Sequence, residues 1–280
     1  MKRNINTSLF KEVEKANNFS DILNVIAKKF PKKIFLVERN KKINFEDFNI
    51  LVNKCCNFFL KNKIKKKEIV TLNLSNSLEF IILYFASIRY GTIINPIPYG
   101  TKDENLKYNL KISKSKIFFT RKIFKNNKIK NFVINNFNDF LDKINQYDYK
   151  SFSNKKINSK DIAVLYFSSG TTQKSKLIKY SHLAMVNNQK MMVRSNFLDN
   201  FSTHMCILPL GHTASLRYTI KNALITGGKV YIYKNFWEVK DSFWKEIEKH
   251  SINFVGLVPT ILQTILVNSK AIKKKLKHLK

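Results

Sequence analysis

The stretch Tyr166-Phe167-Ser168-Ser169-Gly170-Thr171-Thr172-Gln173-Lys174-Ser175-Lys176 decides how the rest of this 280-residue chain is read. It follows the apolar run Ile162 to Phe167 and precedes a segment of helical character from near Ser181, which predicts strand, polar loop, helix. Such a loop suits phosphate. Gly170 lets backbone N–H groups approach an anion closely. Ser168, Ser169, Thr171 and Thr172 offer hydroxyl donors, and Lys174 and Lys176 bring mobile positive charge. The same residue types also build ordinary strand-to-helix connections, so composition alone leaves both readings open.

A P-loop nucleotide site would carry a second glycine directly before Lys-Ser, but Gln173 stands before Lys174-Ser175, which excludes that motif. Ser169-Gly170-Thr171-Thr172 with Lys176, followed by Ser181-His182, instead resembles the signature loop of the adenylate-forming superfamily. That superfamily comprises acyl-CoA synthetases, aryl-acid ligases and peptide-synthetase adenylation domains, whose loop is typically Ser-Gly-Thr-Thr-Gly, a variable residue, then Pro-Lys-Gly. Gln173, Ser175 and Leu177 depart from it, standing where the family has Gly, Pro and Gly. The fold implied is α/β: the N-terminal part of an adenylate-forming enzyme's large domain, with mostly parallel sheets flanked by helices.

Composition bounds the alternatives. The formal charge of +32, from 51 basic and 19 acidic residues, matches what a nucleic-acid or anionic-membrane partner would need. Arginine, which reads base edges and clamps phosphates, is confined to Arg3, Arg39, Arg89, Arg121, Arg194 and Arg217. The lysines are spread along the whole chain among many asparagines, so no specific nucleic-acid partner is expected. Cys55, Cys56 and Cys206 fit neither a disulfide framework nor a zinc site, and are expected as buried thiols. Met1 to Phe10 lacks the apolar segment of a signal peptide, and the run Phe80 to Ile88 is too short to span a bilayer. A cytoplasmic protein is expected.

Helices and strands alternate along the first half, which argues for a mostly parallel sheet. Helices are predicted from Ser20-Asp21 to Phe30, from an Asn44 cap through Phe59, from Leu78 to Tyr90 with Gly91 closing it, and from Lys102 to Ile112. Strands are predicted at Ile34 to Val37, Ile69 to Leu74, Thr92 to Asn95 and Lys116 to Thr120. Arg121 to Lys160 is polar and receives no element, and Tyr149 to Asn158 is the expected linker. The reading divides the chain into an N-terminal α/β subdomain, 1–150, and a second one, 151–280, that carries the loop. In the second, strands are predicted at Met205 to Leu208, Lys229 to Tyr233 and Asn253 to Val258. Helices are predicted from Ser181-His182 to Asn196, from Ser215 to Ile225, from Asp241 and from Pro259. Asn76-Ser77-Leu78-Glu79-Phe80, Arg89-Tyr90-Gly91 and Asn95-Pro96 also resemble the superfamily, in a region the resemblance marks as scaffold.

The resemblance implies ATP-dependent activation of a carboxylic acid as acyl-adenylate, then thioester formation with coenzyme A or a phosphopantetheine arm. Ser169, Thr171, Thr172, the Gly170 backbone and Lys176 would hold the β- and γ-phosphates, with Ser168 and Lys174 beside them. His182 is either a cap neighbour or a phosphate contact. His212, in Pro209-Leu210-Gly211-His212, would line the acyl and nucleotide pocket, although a lone loop histidine also suits a structural role. Val258 and Pro259 would contact the acyl group. Mg2+ would accompany ATP, but no metal ligand is assigned within the chain. Nothing acidic stands in the pocket-like stretches to meet an amino group, which favours a small fatty or aryl carboxylate substrate. The superfamily's aromatic-Gly-x-Thr-Glu motif, ribose aspartate and catalytic lysine do not occur before Lys280. The chain is therefore expected to be an N-terminal portion, inactive by itself, through truncation or a split gene, and in the latter case a separately encoded C-terminal half is its partner. The alternative is a non-catalytic acyl- or anion-binding module of the same fold.

Overall fold

The computed structural model describes residues 7–124, 126, 128–150, 157–168, 176–195 and 202–268. After α1 (Thr7–Glu14), α2 (Phe19–Lys29) starts at Phe19 because Asn18 caps it, its side chain accepting the Asp21 amide at 2.9 Å. β1 (Ile34–Glu38) turns through Arg39, in the left-handed region at φ 55°, into β2 (Lys41–Asn44). Asn44 accepts the Asp47 amide at 2.7 Å and caps α3 (Phe45–Lys61), as the spacing predicts. β3 (Ile69–Asn73) leads to α4 (Leu78–Tyr90), capped by Ser77 and closed by Gly91 at φ 86°. β4 (Ile93–Pro96), α5 (Asp103–Ile112) and β5 (Ile117–Thr120) continue the alternation. β6 (Lys130–Val133) and α6 (Phe137–Asn145) occupy the polar segment to which the sequence assigned no element.

The organising stretch itself differs from expectation. Among the described residues β7 (Ile162–Phe167) is followed by β8 (Leu177–Ser181), antiparallel to it and not expected, and then by α7 (His182–Ser195), where a helix is predicted. Cross-strand pairing explains this. Tyr166 sits opposite Ile178 and Val164 opposite Tyr180, and the Tyr166 and Tyr180 rings meet edge to face at 6.1 Å. β9 (Thr203–Cys206) precedes a continuous helical segment made of α8 (Thr213–Ser215), a π turn at Leu216–Ile220 and α9 (Lys221–Thr226). β10 (Lys229–Ile232), α10 (Phe243–Lys249), β11 (Phe254–Val255) and α11 (Pro259–Asn268) follow. β11 is shorter than the predicted Asn253 to Val258 strand.

Two mostly parallel sheets result. Among the described residues one has the order β6-β5-β3-β4-β7-β8, antiparallel only at β7–β8, and the other β11-β9-β10-β1-β2, antiparallel only at β1–β2. Each sheet takes strands from both sides of residue 150. All residues of α4 are buried, and its apolar side chains share one core with Val70, Leu72 and Ile94 of the first sheet and Phe35, Leu36 and Val230 of the second. A parallel sheet is covered on both faces, which is why an all-apolar helix fits there. A smaller cluster of Met205, Ile207, Phe243, Ile247 and Ile265 lies between the second sheet and α10 and α11. The three thiols are free and buried, as expected, and burial pushes Cys56 up to about 12. Among the described residues no helix is long and apolar enough to cross a membrane.

Candidate functional site

The ends of the polar loop are held together. The Ser168 amide donates to the Lys176 carbonyl at 2.9 Å, and the Lys176 amide donates to Ser168 Oγ at 3.0 Å, extending the β7–β8 ladder by one step. Ser168 and Lys176 thus close a two-strand neck. Ser169, Gly170, Thr171, Thr172 and Lys174 lie outside the described residues.

The neck opens on a cavity of about 480 Å³. Tyr166, Phe167 and Ser168 of the first hairpin strand, with Ile178 and Tyr180 of the second, form its base. Pro96, Ile97, Pro98 and Thr101 form one wall and Gly211, His212 and Thr213 one adjoining it, while Asn105 and Asn109 of α5 contribute amides. This is the C-terminal end of β4 and β7, where parallel strands present loops and ligands. Ser168 and His212, far apart in sequence, thus share one cavity. Loss of hydration pushes His212 below the usual histidine range, so at neutral pH it is an uncharged donor and acceptor. Burial pushes the Tyr166 phenol up, which leaves it protonated.

The remaining expected residues lie elsewhere. His182 is buried at the head of α7 and is not among the cavity walls, and desolvation pushes it down to about 4. Its amide donates to the Asp161 carbonyl, and neighbouring Ser181 accepts the Ala184 amide, so it sits beside a cap. Val258 and Pro259 are exposed where α11 begins and do not line the cavity. The sequence reading missed Thr101, Asn105, Asn109, Tyr166 and Tyr180. The four-residue spacing of Asn105 and Asn109 on a predicted helix was the only signal for any of them. Among the described residues no group of three or more His, Cys, Asp or Glu is arranged to hold a metal ion. The described part thus offers magnesium no such site.

The profile of the family described as AMP-binding enzyme matches residues 23–280. The chain is 27% identical over 245 residues to 4-coumarate:CoA ligase 1 of Petunia hybrida, covering 81% of this chain and 44% of that protein. It is 23% identical over 266 residues to an oxalate–CoA ligase of Arabidopsis thaliana, covering 90% and 52%. The chain thus spans about half the length of these curated relatives. Its fold matches the fatty acyl CoA synthetase of Mycobacterium tuberculosis with a TM-score of 0.83 at 17% identity, covering 94% of this chain and 54% of that one. The N-terminal domain of FACL13 from the same organism also matches at 0.83, at 16% identity, covering 94% and 68%. The mostly parallel double-sheet architecture agrees with both, and with a profile matching from residue 23 to residue 280 the chain belongs to the AMP-binding enzyme family.

Proposed function

We propose that this chain forms the phosphate-loop portion of a ligase that activates a carboxylic acid with ATP and passes the acyl group to a thiol, that of coenzyme A or a phosphopantetheine arm. The observation that carries the reading is the closed neck at Ser168 and Lys176, opening on the cavity that His212 shares. A carboxylate oxygen attacks the α-phosphorus, pyrophosphate leaves, and the thiol sulfur then attacks the acyl carbon and expels AMP. The chain's task in the first step is to offset charge on the phosphoryl oxygens. Ser169, Thr171, Thr172, Lys174, Lys176 and the Gly170 backbone are assigned to the β- and γ-phosphates, with Ser168 fixing the neck. His212 is assigned to the pocket wall as a neutral hydrogen-bonding group. No step is assigned to magnesium, because the described residues offer it no cluster of ligands.

The walls support a reading of the substrate class. Ile97, Tyr166, Phe167, Ile178 and Tyr180 are apolar or aromatic, and among the described lining residues none is acidic. Such a cavity has nothing to pair with an ammonium group, which favours a fatty or aryl acid over an amino acid. We assign the adenine, ribose and metal contacts and the catalytic lysine to the further length that the relatives have, supplied in one polypeptide or as a separate half.

Two measurements on the purified chain test this. Displacement of a fluorescent ATP analogue should show binding that Lys176→Ala weakens about tenfold, near 1.4 kcal/mol. Carboxylate-dependent pyrophosphate release, with the further length supplied, should respond to fatty or aryl acids. Equal nucleotide binding by wild type and Lys176→Ala would remove the phosphate assignment. Binding without release would turn the reading to a non-catalytic module.

A further inference from the structure

Two adjoining walls of the cavity are both held by one short stretch, Asn73-Leu74-Ser75-Asn76-Ser77, made of the last residue of β3 and the connection to α4. Asparagine is abundant along the chain, and most asparagines are solvated. Asn73 and Asn76 are 7% and 3% exposed. A buried amide is tolerated only when its donors and acceptor are matched, so the partners of these two decide what they do.

Asn73 Nδ2 donates to the Pro98 carbonyl at 2.8 Å and approaches that of Ile97 at 3.4 Å, gripping the first wall. Asn76 Nδ2 donates to the carbonyls of Leu208 at 2.9 Å and Tyr233 at 3.0 Å, and its Oδ1 accepts the Leu210 amide at 2.7 Å. Leu208 lies just beyond β9 and Tyr233 just beyond β10, so this one side chain reaches from the first sheet to the ends of two adjacent strands of the second. It holds the backbone on both sides of Pro209, three residues before His212. The two walls also touch. A Cβ on Gly211 would lie 2.2 Å from Pro98 N and 2.4 Å from Ile97 C, so the loop to His212 rests directly on the backbone that Asn73 grips. The His212 amide then closes a turn on the Pro209 carbonyl at 3.0 Å.

We propose that Asn73 and Asn76 are positioning residues that hold the two adjoining cavity walls in register, with Asn76 fixing where His212 stands. Neither side chain lines the cavity. Only asparagine matches the Asn76 site among residues of its size. Aspartate would keep the acceptor for Leu210 but would aim a charged oxygen at two carbonyls, and alanine would leave all three backbone groups unpartnered.

The test uses the purified chain. In Asn76→Ala, hydrogen exchange of the peptide covering residues 208–213 should accelerate at least tenfold, while that of residues 80–90 in α4 stays unchanged. The His212 imidazole, followed by NMR titration, should move toward the ordinary histidine range. Asn73→Ala should accelerate exchange at Thr101, whose amide donates to the Pro98 carbonyl. If Asn76→Ala does not fold, Asn76→Ser provides the same readouts. Unchanged exchange over 208–213 together with an unmoved His212 titration would overturn the proposal. A further arm rests on the ligase reading: in carboxylate-dependent pyrophosphate exchange, with the further length supplied, Asn76→Ala should raise KM for the acid and leave KM for ATP unchanged. No exchange in any variant would count against the ligase reading alone, since the hydrogen-exchange and titration results decide the positioning role.

Discussion

Helices α4 and α11 are both built largely of apolar residues, yet they end in opposite surroundings. Every side chain of α4 is buried between the two sheets, while Val267 of α11 is 85% exposed and Leu266 47%. Only one side of α11 is covered, where Ile261 and Ile265 pack on the cluster of Met205, Phe243 and Ile247. The difference comes from neighbours rather than from either helix. α4 has α2, α3 and both sheets around it, and its two charged residues each find polar partners inside the core. Glu79 pairs with Arg121, and Arg89 donates to Ser20, Asn24 and Asn53, with burial pushing it down to about 10. An apolar helix is thus stabilising in proportion to what is packed against it.

The largest test of that contrast is Phe85→Ala in α4. Phe85 meets the rings of Phe19, Phe48 and Tyr84 edge to face, and its removal should cost about 3–5 kcal/mol, read as a fall in the urea midpoint. A loss below 1 kcal/mol would mean that α4 is not the packed centre described.

A smaller effect is expected from Lys221, whose ammonium lies 5.3 Å from the Phe19 ring and 5.4 Å from that of Tyr84, on the α4 side of the core. Burial pushes this lysine down to about 7, with Arg217 adding repulsion. An unfolded lysine keeps its proton to about pH 10.4. Between those values the unfolded chain holds the extra proton, so this group makes stability rise with pH from about 7 to 10. Below pH 7 both states are charged and the folded state carries the whole penalty. Lys221→Met should therefore stabilise by roughly 1–4 kcal/mol at pH 6, with the gain shrinking toward pH 10. A gain independent of pH would refute a buried charge.

The smallest effect belongs to α11. Val267→Lys should change stability by no more than about 0.5 kcal/mol, because its side chain already faces solvent. A loss of several kcal/mol in the same denaturation experiment would show that this face is covered in solution.

The sequence made the interior legible and the edges illegible. α4 with its Gly91 end, the Asn44 cap of α3, and β3, β5 and β7 stand where spacing and apolar runs predict. The strands it missed, β2, β6 and β8, are all at sheet edges. An edge strand has one neighbour and a solvated flank, so Lys41-Lys42-Ile43-Asn44 and Lys130-Asn131-Phe132-Val133 carry little pattern to read. The same limit applies to the site. Motifs singled out Ser168 and His212, which line one cavity, but no motif could tell the asparagines that grip the cavity walls from the many that only meet water. What distinguishes Asn76 is a partner more than a hundred positions along the chain.

The pairing of Leu36 with Val230 sets a timetable for synthesis. β3 to β6 follow one another closely and pair locally, so much of the first sheet can assemble while the chain is still emerging. β1 and β2 cannot complete their sheet until β10 and β9 have been made, and the apolar flank of α4 that faces them stays open for that interval. Distant pairing of this kind slows folding and leaves hydrophobic surface available to other chains in the meantime. The span in which this protein is most prone to aggregate therefore lies during its own translation, before Ile232 has left the ribosome.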